Sequence, residues 1–126
     1  MKLLLSIGLG GAIGAIGRYF VMIAVGHLVG MAFPYATLLV NVVGSLLLGL
    51  LVEAMAVLWQ VDETLRAFVV VGVLGAFTTF STFSLDVVYL FHRGEIASAL
   101  LYVILSVVLS VLAFGIGMYA VRHLIV

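Results

Sequence analysis

Eight consecutive residues, Phe77-Thr78-Thr79-Phe80-Ser81-Thr82-Phe83-Ser84, carry five hydroxyls and three phenyl rings inside an apolar stretch. Hydroxyls donate hydrogen bonds to an anion. A phenyl ring is negative on its face and positive at its edge, so edge-on rings touch an anion without the tight hold of a lysine. Weak contact suits a channel, whose sites must release what they bind. Phe80 and Phe83, spaced i, i+3, share one helix face. Gly72 and Gly75 precede the block, and Gly, Ser and Thr clustered this way support an interrupted helix at membrane depth. Carbonyls freed by an interruption need protein, water or an ion as partner, and half-helix ends can ligate Na⁺. The plainer alternative is a hydroxyl-rich packing seam with phenylalanine as filler.

Other polar residues inside apolar stretches each carry two readings. Thr37 and Asn41, spaced i, i+4, share a face; the Asn41 amide either bonds a neighbouring helix or donates to an anion path. Arg18 sits well inside an apolar run, where a charge costs about 2.5–3.5 kcal/mol on insertion scales. It is either an electropositive vestibule for anions or a structural anchor. Asp86 follows Phe83 by three residues and reads as a pore-mouth carboxylate or an interfacial charge near the end of its helix. Tyr102, Ser106 and Ser110 recur every four residues as a polar stripe. Their hydroxyls either close local backbone bonds or form a second anion-contacting wall. His27, His92 and His123 share no metal-ligand spacing and read as interfacial. No nucleophile–base pair or metal-hydrolase motif is present, so no enzyme is expected.

The elements that hold these residues are set by hydropathy. The 126-residue chain is 67% apolar and 8% charged, against about 25% charged in soluble domains, and its mean hydropathy is +1.49. The expected fold is an all-α membrane protein with one four-helix domain over residues 1–126. Its spans are residues 3–29, 33–58, 66–91 and 96–121, each longer than the roughly 20 residues that cross a bilayer. The period-two alternation of a membrane β-barrel is absent from runs such as residues 46–52 and 97–105. Lys2 and the following apolar run read as a first span rather than a cleavable signal. With no cysteine, disulfides and thiolate metal sites are excluded. Zero formal net charge and no basic patch argue against nucleic acid.

Short connections leave no room for a soluble domain, and an even number of spans puts both termini on one side. Lys2, Arg66 and Arg122 lie on that side and Arg93 on the other. So small a bias allows either a cytoplasmic-termini topology or insertion in both orientations. No internal repeat relates the halves, so an inverted pair requires two copies. In the first span Gly8, Gly11, Gly14 and Gly17 recur every three residues, and Gly10 and Gly14 form a GxxxG pair. Close helix packing is the preferred reading; a dinucleotide fingerprint fails because Ile13 stands where the third glycine belongs.

The sequence resembles the Fluc (CrcB) family of fluoride channels. The marks are Gly10-Gly11-x-x-Gly14-x-x-x-Arg18-Tyr19, then Thr37-x-x-x-Asn41-x-x-Gly44. The most specific is Gly72-x-x-Gly75-x-Phe77 running into Thr78-Thr79-Phe80-Ser81-Thr82-Phe83-Ser84. The resemblance implies passive fluoride export across a bacterial inner membrane by a dual-topology, antiparallel homodimer with two pores. It implies that Asn41, Phe80 and Phe83 line the pores. Ser81, Thr82, Tyr102 and Ser110 would supply a polar track, with Arg18, Thr37 and Asp86 at the vestibule. It implies a structural Na⁺ between subunits on the carbonyls of Gly75 and Thr78. Asp86 stands where many relatives have Glu. A small proton-coupled, dual-topology drug exporter is the alternative; it needs a titratable carboxylate deep in the membrane, and Glu53 and Asp86 both read as too near helix ends.

Overall fold

Pro34 determines where the second helix starts, because the residue before a proline is pushed out of helical geometry. The computed structural model describes residues 1–125 and places α2 at Tyr35–Val57, so Phe33 lies in the connection. Val126, the end of the expected domain, lies outside the described residues. Helix α1 (Lys2–Val29) ends at Gly30, whose φ of 78° is a left-handed conformation that glycine adopts without strain. Helix α3 spans residues 63–77. It opens at Glu63–Arg66, widens to i→i+5 hydrogen bonding over Ala67–Leu74 and closes at Gly75–Phe77. Helix α4 (Phe80–His92) follows after two extended residues, Thr78 at ψ 156° and Thr79 at φ −152°, ψ 116°. Gly94, at φ 76°, turns the chain into α5 (Ile96–Ala120), which continues with wider bonding over Val121–Ile125.

Four segments are long and apolar enough to cross a membrane: Lys2–Val29, Tyr35–Val57, Glu63–His92 and Ile96–Leu124. The third begins three residues earlier than the sequence suggests, because helix resumes directly after the extended Asp62. Large apolar side chains remain exposed along the spans, among them Leu9, Ile16, Leu100, Ile104 and Val111. Water would make such a surface costly, and hydrocarbon does not.

Glycines set two close crossings. A Cβ on Gly14 would strike the Val73 carbonyl, and one on Gly72 would stand 2.9 Å from Gly10 Cα, so α1 and α3 meet backbone to backbone. A Cβ on Gly49 would strike the Phe114 carbonyl, and one on Gly117 would stand 2.8 Å from Leu50 N, which locks α2 to α5. Small residues permit this approach where apolar side chains gain little by leaving lipid. The GxxxG pair makes the α1 seam, whereas Gly8 and Gly11 of the three-residue series face open space. Phe83, Leu90, Ala99 and Tyr102 form an apolar cluster between α4 and α5.

An ion pair between a buried carboxylate and an exposed guanidinium ties the far end of α2 to the C-terminal turn. Arg122 Nε donates to Glu53 Oε1 at 2.6 Å, and the Glu53 side chain is 3% exposed. Burial of that carboxylate is tolerable because the guanidinium supplies the opposite charge.

Candidate functional site

The extended residues Thr78 and Thr79 give the site its shape. In an unbroken helix the Thr79 N–H would bond the Gly75 carbonyl four residues back. Instead it donates to Asn41 Oδ1 at 2.7 Å, while Asn41 Nδ2 donates to the Thr79 carbonyl at 3.0 Å. One side-chain amide thus serves both polar groups of one backbone unit, and the Gly75 carbonyl is released from its helical role. Gly44, one turn along α2 from Asn41, makes room for this: a Cβ there would collide with the Thr78 methyl and stand 3.2 Å from the Phe77 ring.

The Thr79 side chain then starts α4. Its Oγ1 accepts from the Thr82 N–H at 3.1 Å, donates to Thr82 Oγ1 at 3.0 Å and lies 3.2 Å from Ser81 Oγ. This is the N-cap role for which threonine is favoured. Thr78 Oγ1 turns the other way and donates to the Leu74 carbonyl at 3.1 Å.

A cavity of about 330 Å³ opens beside this junction. It is walled by Asn41 and Ser45 of α2, Thr78, Thr79, Phe80 and Phe83 at the junction, and Ser106 and Ser110 of α5. The amide nitrogen of Asn41 has two hydrogens, and only one is used on Thr79, so a donor remains at the wall. The hydroxyls of Ser106 and Ser110 are buried and have no hydrogen-bond partner in the chain. A buried hydroxyl without a partner costs roughly 1–3 kcal/mol. The two serines stand one helical turn apart in the lining of the same cavity. The Phe80 and Phe83 rings stand 5.2 Å apart at 43°, Phe83 is buried and Phe80 is 76% exposed.

A second cavity, about 460 Å³, lies by the connection between α1 and α2. Thr37 and Asp86 line it together with Tyr19, His27 and Pro34. Between the cavities stands Tyr102, fully buried, whose hydroxyl donates to Asp86 Oδ2 at 3.0 Å. Its ring packs against Phe83 at 5.3 Å and edge-on against Phe33 at 5.6 Å.

Within one chain, then, Asn41, Phe80, Phe83 and Ser110 meet at one cavity and Thr37 and Asp86 at another. Three residues expected along the pore do not line the first cavity. Ser81 and Thr82 turn onto Thr79, and Tyr102 turns to Asp86. Arg18 does not line the second, since on α1 it is Tyr19, Met22, Ile23, Gly26 and His27 that do. Asp86 lies midway along α4 rather than near its end, because the helix begins only at Phe80 and runs to His92. Ser45 is a wall residue that the sequence reading leaves without a site role, and Ser106 is the middle member of the i+4 stripe that reads as one possible anion-contacting wall.

The family described as CrcB-like protein, Camphor Resistance (CrcB), matches residues 5–118. The chain belongs to that family. The CrcB-like match covers every element that walls the two cavities. Curated relatives span nearly the whole chain. A protein of Nitrobacter hamburgensis, named fluoride-specific ion channel FluC 1, is 48% identical over 96% of each chain. A fluoride-specific ion channel FluC of Nitrobacter winogradskyi is 50% identical over 94% of each. Another, from Rhodospirillum centenum, is 48% identical over 97% of each. With four apolar spanning helices, this CrcB-like chain is a multi-pass membrane protein.

Proposed function

We propose that the chain is one subunit of a fluoride-selective channel that lets F⁻ leave a bacterial cytoplasm passively through the inner membrane. The observation that carries the reading is the set of residues that line one cavity, Asn41, Phe80, Phe83, Ser106 and Ser110, the last two with buried hydroxyls that have no geometric hydrogen-bond partner among the described residues. Fluoride is small and strongly hydrated, so it enters a membrane path only where donors replace its water. Two hydroxyls, the second Asn41 N–H and the positive edges of two phenyl rings are such a set. None carries a full positive charge, which keeps the ion mobile. Neutral HF crosses lipid, ionises at cytoplasmic pH, and the trapped anion leaves by this route.

The working unit in this reading is an antiparallel homodimer with dual topology and two pores. What supports it is Phe80, a residue of the cavity wall left 76% exposed in one chain. A broken third span supplies the released Gly75 carbonyl and the extended Thr78. Uncharged carbonyl oxygens are hard ligands suited to Na⁺. Two such oxygens from each subunit would hold one Na⁺ as a structural link between the copies. Ser81, Thr82 and Tyr102 would extend the polar track, and Arg18 would add positive potential at a vestibule shared with Thr37 and Asp86. Among the described residues Arg18 has no acidic partner, which fits that role.

A proton-coupled exporter needs a carboxylate free to titrate within the membrane. The relatives that match nearly the whole chain are named fluoride-specific ion channels, so this alternative is not favoured. The test is ion efflux from liposomes holding purified protein. Fluoride efflux without chloride efflux, requiring no pH gradient, is expected. Chloride leaving as fast as fluoride, or fluoride not leaving at all, overturns the reading.

A further inference from the structure

A third cavity, about 320 Å³, lies at the opposite end of α2 from Pro34 and takes no part in the anion path. Its floor is apolar, built from Val52, Met55 and Ala56 of α2 and Val61 of the connection. Trp59 and Gln60 border it, and Arg66 supplies its one charge. Helix α2 stops at Val57 and α3 starts at Glu63, so the groove sits where two spans emerge from hydrocarbon. Tryptophan favours that depth, since its ring is amphipathic.

Arg66 is presented to the groove although acidic groups are at hand. Asp62 and Glu63 precede it by four and three residues, the spacing of helical ion pairs. Neither forms one, and among the described residues Arg66 has no salt bridge. A cation above an apolar floor, at the level of the headgroups, matches an amphiphile with a negative head and a hydrocarbon tail. We infer that this groove binds an anionic phospholipid, its phosphate on Arg66 and the upper part of one acyl chain on Val52, Met55 and Val61. A soluble phosphate would leave the floor empty. A lipid covers both parts, and the four spans guarantee its supply. Basic pockets on membrane proteins take anionic headgroups on the same electrostatic ground.

Trp59 is the only tryptophan in the chain, so it reports on its own neighbour. The wild-type protein is reconstituted in phosphatidylcholine vesicles carrying equal fractions of either brominated phosphatidylglycerol or brominated phosphatidylcholine. Bromine quenches indole on contact. The anionic lipid is expected to quench with about fivefold preference, the ratio that one basic residue supplies near a membrane surface. The preference should shrink as salt is raised. Arg66→Gln should abolish it, and Arg66→Lys should keep part of it, while fluoride efflux from phosphatidylcholine vesicles stays at the wild-type rate. Equal quenching of the wild-type protein by the two lipids overturns the inference, as does a preference that survives Arg66→Gln. Absence of quenching by either lipid overturns it too, showing that protein covers the groove. The wild-type comparison decides the matter even if a variant fails to fold.

Discussion

The side chain of Asn41 forms two hydrogen bonds with the backbone of Thr79, accepting from its N–H at 2.7 Å and donating to its carbonyl at 3.0 Å. The two residues are 38 positions apart. Their pairing holds the chain extended at the one place where the third span stops being helical. It also leaves one amide hydrogen at the cavity wall. Asn41 is therefore a brace and a donor at once. A carboxylate can keep the first bond, but it cannot donate, and it faces the Thr79 carbonyl with a negative charge. Asn41→Asp is expected to abolish fluoride efflux and to lower stability by about 1–3 kcal/mol, the cost of an unmatched buried group. Efflux and thermal unfolding of the purified variant, measured side by side, check this; wild-type values in both reject the brace.

Phe80 offers a cleaner separation of function from folding. It is 76% exposed in the single chain, so little of the subunit's own packing depends on it. Phe80→Ile removes the ring with its positive edge but keeps an apolar side chain. Efflux is expected to be lost while the protein elutes from a sizing column and melts as the wild type does. Normal efflux would remove Phe80 from the pore.

For Ser106 the expected signs are opposed. Its hydroxyl is buried without a partner, which burdens the folded chain by roughly 1–3 kcal/mol. Ser106→Ala removes that burden at almost no change in shape. The variant should unfold at the same temperature as the wild type or higher, yet pass fluoride more slowly. Ser110→Ala should behave alike, since it stands one turn further along the same wall. A stable variant with undiminished efflux would show that the hydroxyls do not serve the ion.

The close crossings predict a contrast among glycines that look equivalent in the sequence. Gly14→Ala and Gly49→Ala each drive a methyl into a carbonyl of the facing helix. Overpacking of this kind costs about 1–3 kcal/mol, and thermal unfolding in detergent should show it. Gly8→Ala meets nothing within 4 Å and should be neutral or slightly stabilising, because alanine is the better helix former. Equal effects at all three positions would mean that the seam lies elsewhere.

Hydropathy and local spacing were enough to place the four spans, because the free energy of lying in hydrocarbon accumulates residue by residue along the chain. The junction was legible in the same way. Gly75 through Ser84 concentrates small and hydroxyl-bearing residues where a plain span would carry leucine, and Phe80 and Phe83 follow at helical spacing. The family match runs well beyond them, over residues 5–118. Tertiary packing decided the rest. Nothing local says that Asn41 meets Thr79, that Arg122 reaches Glu53 across 69 positions, or that Tyr102 bonds Asp86. Nor does the i+4 stripe of α5 say which of its members face the cavity. Ser106 and Ser110 do and Tyr102 turns away, since the answer depends on how α4 rests on α5. Side-chain chemistry and periodicity are properties of short segments and can be read from them. Which polar groups become partners depends on the angles and depths at which helices cross, and those are set by glycine contacts between segments distant in the chain.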